Sequence, residues 1–287
     1  MSRSLSSCLG LLALAGCAQF GGGPDEGERI VEVATGREIG RAELLQKLRE
    51  SDYVLLGEQH DNALHHRRRA ELLKALGAGA PVVAEHLTRG LAVQPGADLL
   101  PRLEAAGFEP KGWRWPLHEP LFAAAAAPGH TLLGGNAPRK LARDVARRGE
   151  VALPAELAAV TARAPLEEAG RAALDADLVQ GHCGMLAGER LVGMRWAQRA
   201  RDAAMWLSLQ AAAAEARPAV LLAGNGHVRL DYGVPQLARQ AQPGARLVSV
   251  GFVDAGRAVQ GAPYSYVWLT PAPAGRGDPC AGMTLAK

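Results

Sequence analysis

Glutamate and histidine side chains recur in this sequence where short apolar runs end. Val54-Leu55-Leu56-Gly57 leads into Glu58-Gln59-His60, and Pro81-Val82-Val83-Ala84 leads into Glu85-His86. His130-Thr131-Leu132-Leu133-Gly134 leads into Gly135-Asn136, and Ala219-Val220-Leu221-Leu222-Ala223-Gly224 into Asn225-Gly226-His227. Carboxylates and imidazoles transfer protons near neutral pH and hold metal ions that activate water. Glu58, His60, Glu85 and His227 are therefore a candidate catalytic set for metal-assisted hydrolysis or for Glu/His acid–base chemistry. In that reading Glu58 or Glu85 is the general base, and His60 or His227 is the acid or a ligand of a divalent metal.

These residues can act together only if the runs before them lie side by side. A short apolar run closed by glycine reads as a buried strand of a parallel sheet, and ligands of open α/β sheets sit just past the carboxyl ends of such strands. The expected fold is α/β: a mainly parallel sheet flanked by helices, with a helical insertion capping the carboxyl edge of the strands. Asp61-Asn62 reads as an N-cap pair opening a helix to about Leu76, whose His65 and His66 are expected on the solvent side. Residues from about 140 to 216 are long for a plain crossover, which points to a helical insertion ending in a long helix from about Gly188 to Ala216. Met194, Gln198, Arg201, Met205 and Leu209 share one stripe of that helix, so Arg201 needs an anionic partner.

At 287 residues the chain can bury a sizeable core in one domain. A net charge of +3 with scattered arginines forms no basic stripe, so no nucleic-acid partner is indicated. Residues 1–16 read as a signal peptide, with Arg3 before a short apolar segment ending in Leu14-Ala15-Gly16-Cys17. This ending looks like a bacterial lipobox, which implies cleavage before Cys17, lipidation of that cysteine and membrane attachment through the lipid. Residues 17–28 are a flexible tether, 29–270 a single α/β domain, and 271–287 a loose tail. Cys183 and Cys280 remain to pair in an oxidising compartment. His182-Cys183-Gly184-Met185 also holds soft ligand types for copper or haem iron.

Trp113-Arg114-Trp115-Pro116-Leu117-His118 sets two of the five tryptophans beside a histidine. Such planes beside an axial ligand suit a flat apolar cofactor, and a proline-rich loop covering the core is the plainer reading.

Several segments together resemble the ChaN family of haem-binding, iron-regulated bacterial lipoproteins, related to the Tiki and erythromycin-esterase-like proteins. They are Gly57-Glu58-Gln59-His60, Asn136-Ala137-Pro138-Arg139, His182-Cys183-Gly184, Ala197-Gln198-Arg199-Ala200-Arg201-Asp202, Gly224-Asn225-Gly226-His227-Val228-Arg229, Asp231-Tyr232-Gly233-Val234-Pro235 and Tyr266-Val267-Trp268. The resemblance spans nearly the whole mature chain. It implies haem as cofactor, a tyrosine on iron, and a homodimer around the haem. It also implies a role in haem or iron acquisition or storage, with haem transporter components as partners. The location implied is the cell envelope, in the outer membrane facing the periplasm or the cell surface.

Where the family is expected to carry tyrosine before Pro-Leu, this chain has His118 in Leu117-His118-Glu119-Pro120-Leu121. The iron ligand is then His118, which haem chemistry permits, or Tyr232, with Tyr264 and Tyr266 also available. Trp115 and Asn225 join the cofactor-binding candidates, and Arg139, Arg201 and Arg229 can pair with propionates.

Overall fold

The computed structural model describes residues 25–281. The signal peptide, the Cys17 lipidation site and most of the tether lie outside the described residues.

The apolar runs form the centre of an eight-stranded sheet. In chain order its strands are β1 (Arg29–Glu32), β2 (Glu38–Ile39), β3 (Tyr53–Leu56), β4 (Val82–Thr88), β5 (Leu132–Asn136), β6 (Ala219–Leu222), β7 (Leu247–Asp254) and β8 (Tyr266–Thr270). Their spatial order is β2-β1-β8-β7-β3-β6-β4-β5. The strands from β8 to β5 are parallel, and β1 runs antiparallel to both of its neighbours. The expected α/β class is therefore observed.

Register sets the height of the candidate residues. Leu56 pairs with Leu222, and Leu222 with Ala84. Glu58, Gly224 and His86 each follow two residues later, so they emerge from one edge at one level.

Alternation along the strands divides the core in two. Val54 and Leu56 face the layer of α1 (Arg41–Arg49), α2 (Ala63–Leu76), α3 (Leu99–Ala105) and α4 (Glu119–Ala125). Tyr53 and Leu55 face the opposite layer, built from α6 (Ala155–Arg163), α8 (Gly188–Glu215) and α9 (Val234–Ala241). Between β5 and β6 the chain makes α5 (Arg139–Arg148), α6, α7 (Glu168–Gly181) and α8. The carboxyl-terminal half of α8 covers the sheet face through Met205, Trp206 and Leu209. Its amino-terminal half reaches past the strand ends, where Gln198 meets His227. Among the described residues no helix is long and apolar enough to cross a membrane.

The structure corrects several expectations. His65 and His66 are fully buried rather than solvated. His65 Nδ1 accepts from the Gln59 backbone N–H at 3.0 Å, and His66 Nε2 lies 3.2 Å from the His60 carbonyl. The segment read as a proline-rich loop contains α4. Pro120 sits in its first turn, where the missing N–H costs nothing.

Neither end of the domain is loose where it is described. Glu28, expected in the tether, accepts from Arg68 Nε at 3.0 Å and from Trp268 Nε1 at 2.7 Å. Arg276 pairs with Asp61 at 2.6 Å, and Cys280 is disulfide-bonded to Cys183 with Cα atoms 5.4 Å apart. With that bond formed, Cys183 is not free as a soft metal ligand.

Candidate functional site

Two buried clusters occupy the carboxyl edge of the sheet. The first gathers around Glu58, which is 2% exposed. Its Oε1 lies 2.6 Å from His60 Nδ1, 3.0 Å from His86 Nε2 and 3.4 Å from His118 Nε2. The Arg69 guanidinium lies against Oε2 and also donates to His66 Nδ1 at 2.9 Å. β3 delivers Glu58, β4 delivers His86, α2 delivers His66 and Arg69, and the N-cap of α4 delivers His118.

The imidazoles of this cluster are held neutral. Burial is the largest cause and lowers His86 and His118 well below the usual histidine range, and the Arg69 guanidinium pushes the same way. Burial likewise lowers His66 to about 4 and His65 to about 3. Burial also lowers Arg69 to about 9, partly offset by Glu85. Among the described residues Glu58, His60, His86 and His118 form a group able to hold a metal ion, with ligand atoms within 4.8 Å of one another.

The second cluster is a chain of three. His227, in the helical turn Asn225–Val228, places Nε2 3.2 Å from Glu85 Oε1 and Nδ1 2.6 Å from Asp202 Oδ1. The free oxygen of Glu85 accepts the Gly224 backbone N–H at 2.8 Å. Burial works against charge on His227, but the two carboxylates outweigh it and raise its pKa to about 10. Burial alone would raise Glu85, but the His227 imidazolium holds it well below the carboxylate range. Burial prevails at Asp202, whose pKa is raised. The residues missed from the sequence, His66, Arg69, His86 and Asp202, all sit within these clusters.

Gly224 joins the clusters. A Cβ at this position would lie 2.9 Å from His60 Nε2, so a side chain here would push the His60 ring aside, while Glu85 Oε2 at 3.6 Å would be in ordinary contact.

Beside the clusters a cleft of about 310 Å³ is lined by Glu85, His86, Trp113, Asn136, Arg139 and Arg201, with apolar surface from Leu87, Ala137 and Pro138. His60 stands against Trp113, ring centroids 5.0 Å apart, with 48% of its side chain exposed. Arg201 is half-buried and has no ion-pair or hydrogen-bond partner among the described residues, and the nearby carboxylates Glu58, Glu85 and Asp202 are paired elsewhere, so the anionic partner expected for it is not among them.

The expected site residues divide. Glu58, His60, Glu85 and His227 do come together at one edge. Arg139 and Arg201 line the cleft, Arg139 pairing with Glu109 at 2.6 Å on the surface. His118 joins the Glu58 cluster but is 1% exposed, with its Nε2 turned toward Glu58. Tyr232 is also 1% exposed and donates its hydroxyl to Asp177 at 2.6 Å. Arg229 is engaged by Asp177 and Asp231 and lies over the Tyr232 ring. Trp115 packs against Phe108, leaving Trp113 to face the cleft. The Asn225 side chain is spent on the Phe252 backbone, donating to its carbonyl at 2.6 Å and accepting its N–H at 3.2 Å.

A haem site needs an accessible iron ligand, apolar surface for the ring and cations for the propionates. The cleft meets part of that list: Trp113, Leu87 and Pro138 stand on its walls and Arg201 has no carboxylate partner among the described residues, while His60 packs against Trp113 from outside the lining.

A mainly parallel sheet with buried histidine clusters and a cleft at its carboxyl edge is the α/β arrangement in which ligands bind past the strand ends. The chain belongs to the family described as haem-binding uptake, Tiki superfamily, ChaN, whose model matches residues 44–237. It is similar to a solved structure described as cofacial heme binding to ChaN of Campylobacter jejuni, with a TM-score of 0.68 and 17% identity over 85% of this chain and 97% of that one. At that identity the likeness establishes a shared fold. No curated protein matches.

Proposed function

We propose that this protein binds haem in the carboxyl-edge cleft and acts in haem or iron acquisition or storage, tethered to the bacterial cell envelope through a lipid on Cys17. The observation that carries the haem reading is a half-buried arginine, Arg201, with no partner among the described residues, sharing a cleft with the indole of Trp113. Haem supplies an iron with an open coordination position on a flat apolar ring bearing two carboxylates. Arg201 and Arg139 would hold those carboxylates, and Trp113 would cover part of the ring face. A second copy of the chain covering the remaining face would give the homodimer that the family resemblance implies, and transfer to or from transporter components would follow from an open cleft.

Titrating the purified protein with hemin tests this reading. The Soret band should shift and saturate near one haem per chain, and Arg201→Ala should weaken binding about tenfold, the effect of losing one charge-assisted contact of roughly 1.5 kcal/mol. A spectrum that stays that of free hemin at every ratio would end the proposal. The tether is tested separately by metabolic labelling with a fatty acid, which Cys17→Ala should abolish.

A second reading, a metal-dependent or Glu/His hydrolase, is favoured by one observation: a carboxylate-bracketed imidazolium at His227 beside a group of metal-ligand types at Glu58, His60, His86 and His118. It predicts divalent-metal-dependent ester or peptide hydrolysis that Glu85→Gln removes while hemin binding survives.

A further inference from the structure

A guanidinium withdrawn from water needs a counter-charge, and Arg199 of α8 has no ion-pair partner among the described residues. It is 4% exposed. Its Nη1 donates to the Gln236 side-chain oxygen at 3.0 Å and to the Tyr232 carbonyl at 3.4 Å, and its Nη2 to the Ala164 carbonyl at 2.5 Å. All three acceptors are neutral. They tie the end of α6 and the start of α9 to α8, and they leave the charge without a counter-ion. The carboxylate whose field Arg199 feels is Asp202, which is already engaged by His227 Nδ1 at 2.6 Å. Burial therefore lowers the Arg199 pKa, and Asp202 offsets it only in part.

Arg199 lines a cavity of about 320 Å³ inside the helical insertion, between α6, the first turn of α7 and the amino-terminal half of α8. Two further arginines share its wall. Arg195 is held by Asp175 at 2.6 Å, and Arg171 is exposed with no ion-pair or hydrogen-bond partner for its side chain among the described residues. Glu150, also exposed, is the one acid among the lining residues, so the cations exceed the carboxylates that face them. The rest of the wall is mainly apolar, with the Trp196 indole and Leu166.

Charge and apolar surface together specify the ligand. A carboxylate matches the planar fork of a guanidinium, and an apolar body attached to it displaces water from Trp196 and Leu166. Inorganic phosphate would meet the arginines and leave the apolar wall wet. At about 320 Å³ the cavity stands at the lower end of the range for small-molecule pockets, enough for one ring or a short branched chain and too little for a porphyrin. We infer that the helical insertion carries a second binding site, which takes a small apolar monocarboxylate against Trp196, Arg171 and Arg199. It shares no lining residue with the carboxyl-edge cleft, so it goes beyond the haem reading and does not rest on it. Arg199 and Arg201 sit about 200° apart around α8, which sets the two sites on opposite sides of one helix.

Isothermal titration of the full chain with phenylacetate and with isovalerate tests this, with phenylacetamide as the neutral probe and inorganic phosphate as the probe without an apolar body. At least one of the two carboxylates should bind at a single site per chain, and phenylacetamide and phosphate should bind about tenfold more weakly or worse. Arg171→Ala, at an exposed position, should weaken the carboxylate about tenfold by removing one charge-assisted contact. Ala162→Leu, on the exposed rim of the same lining, should fill the cavity and abolish binding. Both variants should keep the circular dichroism of the wild type. No saturable heat from either carboxylate, phosphate binding as tightly as the carboxylates, or binding that both variants leave unchanged would each overturn the inference, and none of these results bears on hemin binding.

Discussion

Two clusters of the same residue types, packed against one another at one sheet edge, settle into opposite protonation states. Around Glu58 several imidazoles crowd one carboxylate that already faces a guanidinium, so burial wins and the rings stay neutral. Around His227 one imidazole is bracketed by two carboxylates, and the ring is cationic with its pKa near 10. Burial is common to both, so what decides is the ratio of carboxylates to cations within hydrogen-bond reach. The neutral cluster keeps imidazole lone pairs available for a metal, and the charged one does not.

The largest way to break this contrast is to remove the cation that neutralises Glu58. Arg69→Ala leaves a buried carboxylate without its guanidinium and should destabilise the fold by about 3–5 kcal/mol, read as a lower denaturation midpoint. Asp202→Asn attacks the other side. His227 then keeps a single carboxylate, its pKa should fall from about 10 toward the ordinary 6.5, and stability near neutral pH should drop by about 2 kcal/mol. Imidazole nitrogen chemical shifts followed through a pH titration report the pKa directly, and an unmoved His227 would show that Asp202 is not what holds its proton.

The two clusters should also leave opposite marks on stability against pH. His65 and His66 have folded pKa values depressed to about 3 and about 4, so the unfolded chain binds more protons below 6.5. Their contribution is complete above about pH 6.5 and is lost as pH falls toward 3, each group adding a slope of up to about 1.4 kcal/mol per pH unit. His227 has its folded pKa raised, so its contribution is complete below 6.5 and is lost as pH rises through about 10. Denaturation midpoints across pH 3–10 should therefore peak near neutrality, and Asp202→Asn should flatten only the alkaline side. The smallest effect belongs to Gln198→Ala, which removes an amide lying 3.1 Å from the His227 ring and should cost about 1 kcal/mol while leaving that ring charged.

Much of this site is legible in the sequence because strand ends are marked by a change from apolar to polar residues. Glu58, Glu85 and His227 follow such breaks, and the parallel register brings their strands out at one edge. Arg69 and His66 were hidden because α2 carries two histidines and three arginines and so reads as a polar surface helix. The signal was present in spacing: His66, Arg69 and Leu73 recur at three- and four-residue steps and are buried together. Asp202 follows Arg201 directly, yet residues adjacent on a helix point to different sides, and Asp202 faces inward to His227 while Arg201 faces the cleft. His118 stands where the family pattern is expected to carry a tyrosine and Tyr232 is of a ligating type, but neither pattern nor type carries information on which nitrogen or hydroxyl faces outward. Trp113 and Trp115 are two residues apart in a loop without a regular period, so the sequence does not distinguish which indole turns toward the cleft, and it is Trp113 that does.

Iron in the cleft is the claim on which the functional account turns, and anomalous scattering from crystals of the hemin-loaded protein measures it most directly. The account predicts an iron peak in that cleft, with the porphyrin beside Trp113 and its propionates toward Arg201. An iron peak beside Tyr232 or on any other surface would contradict it.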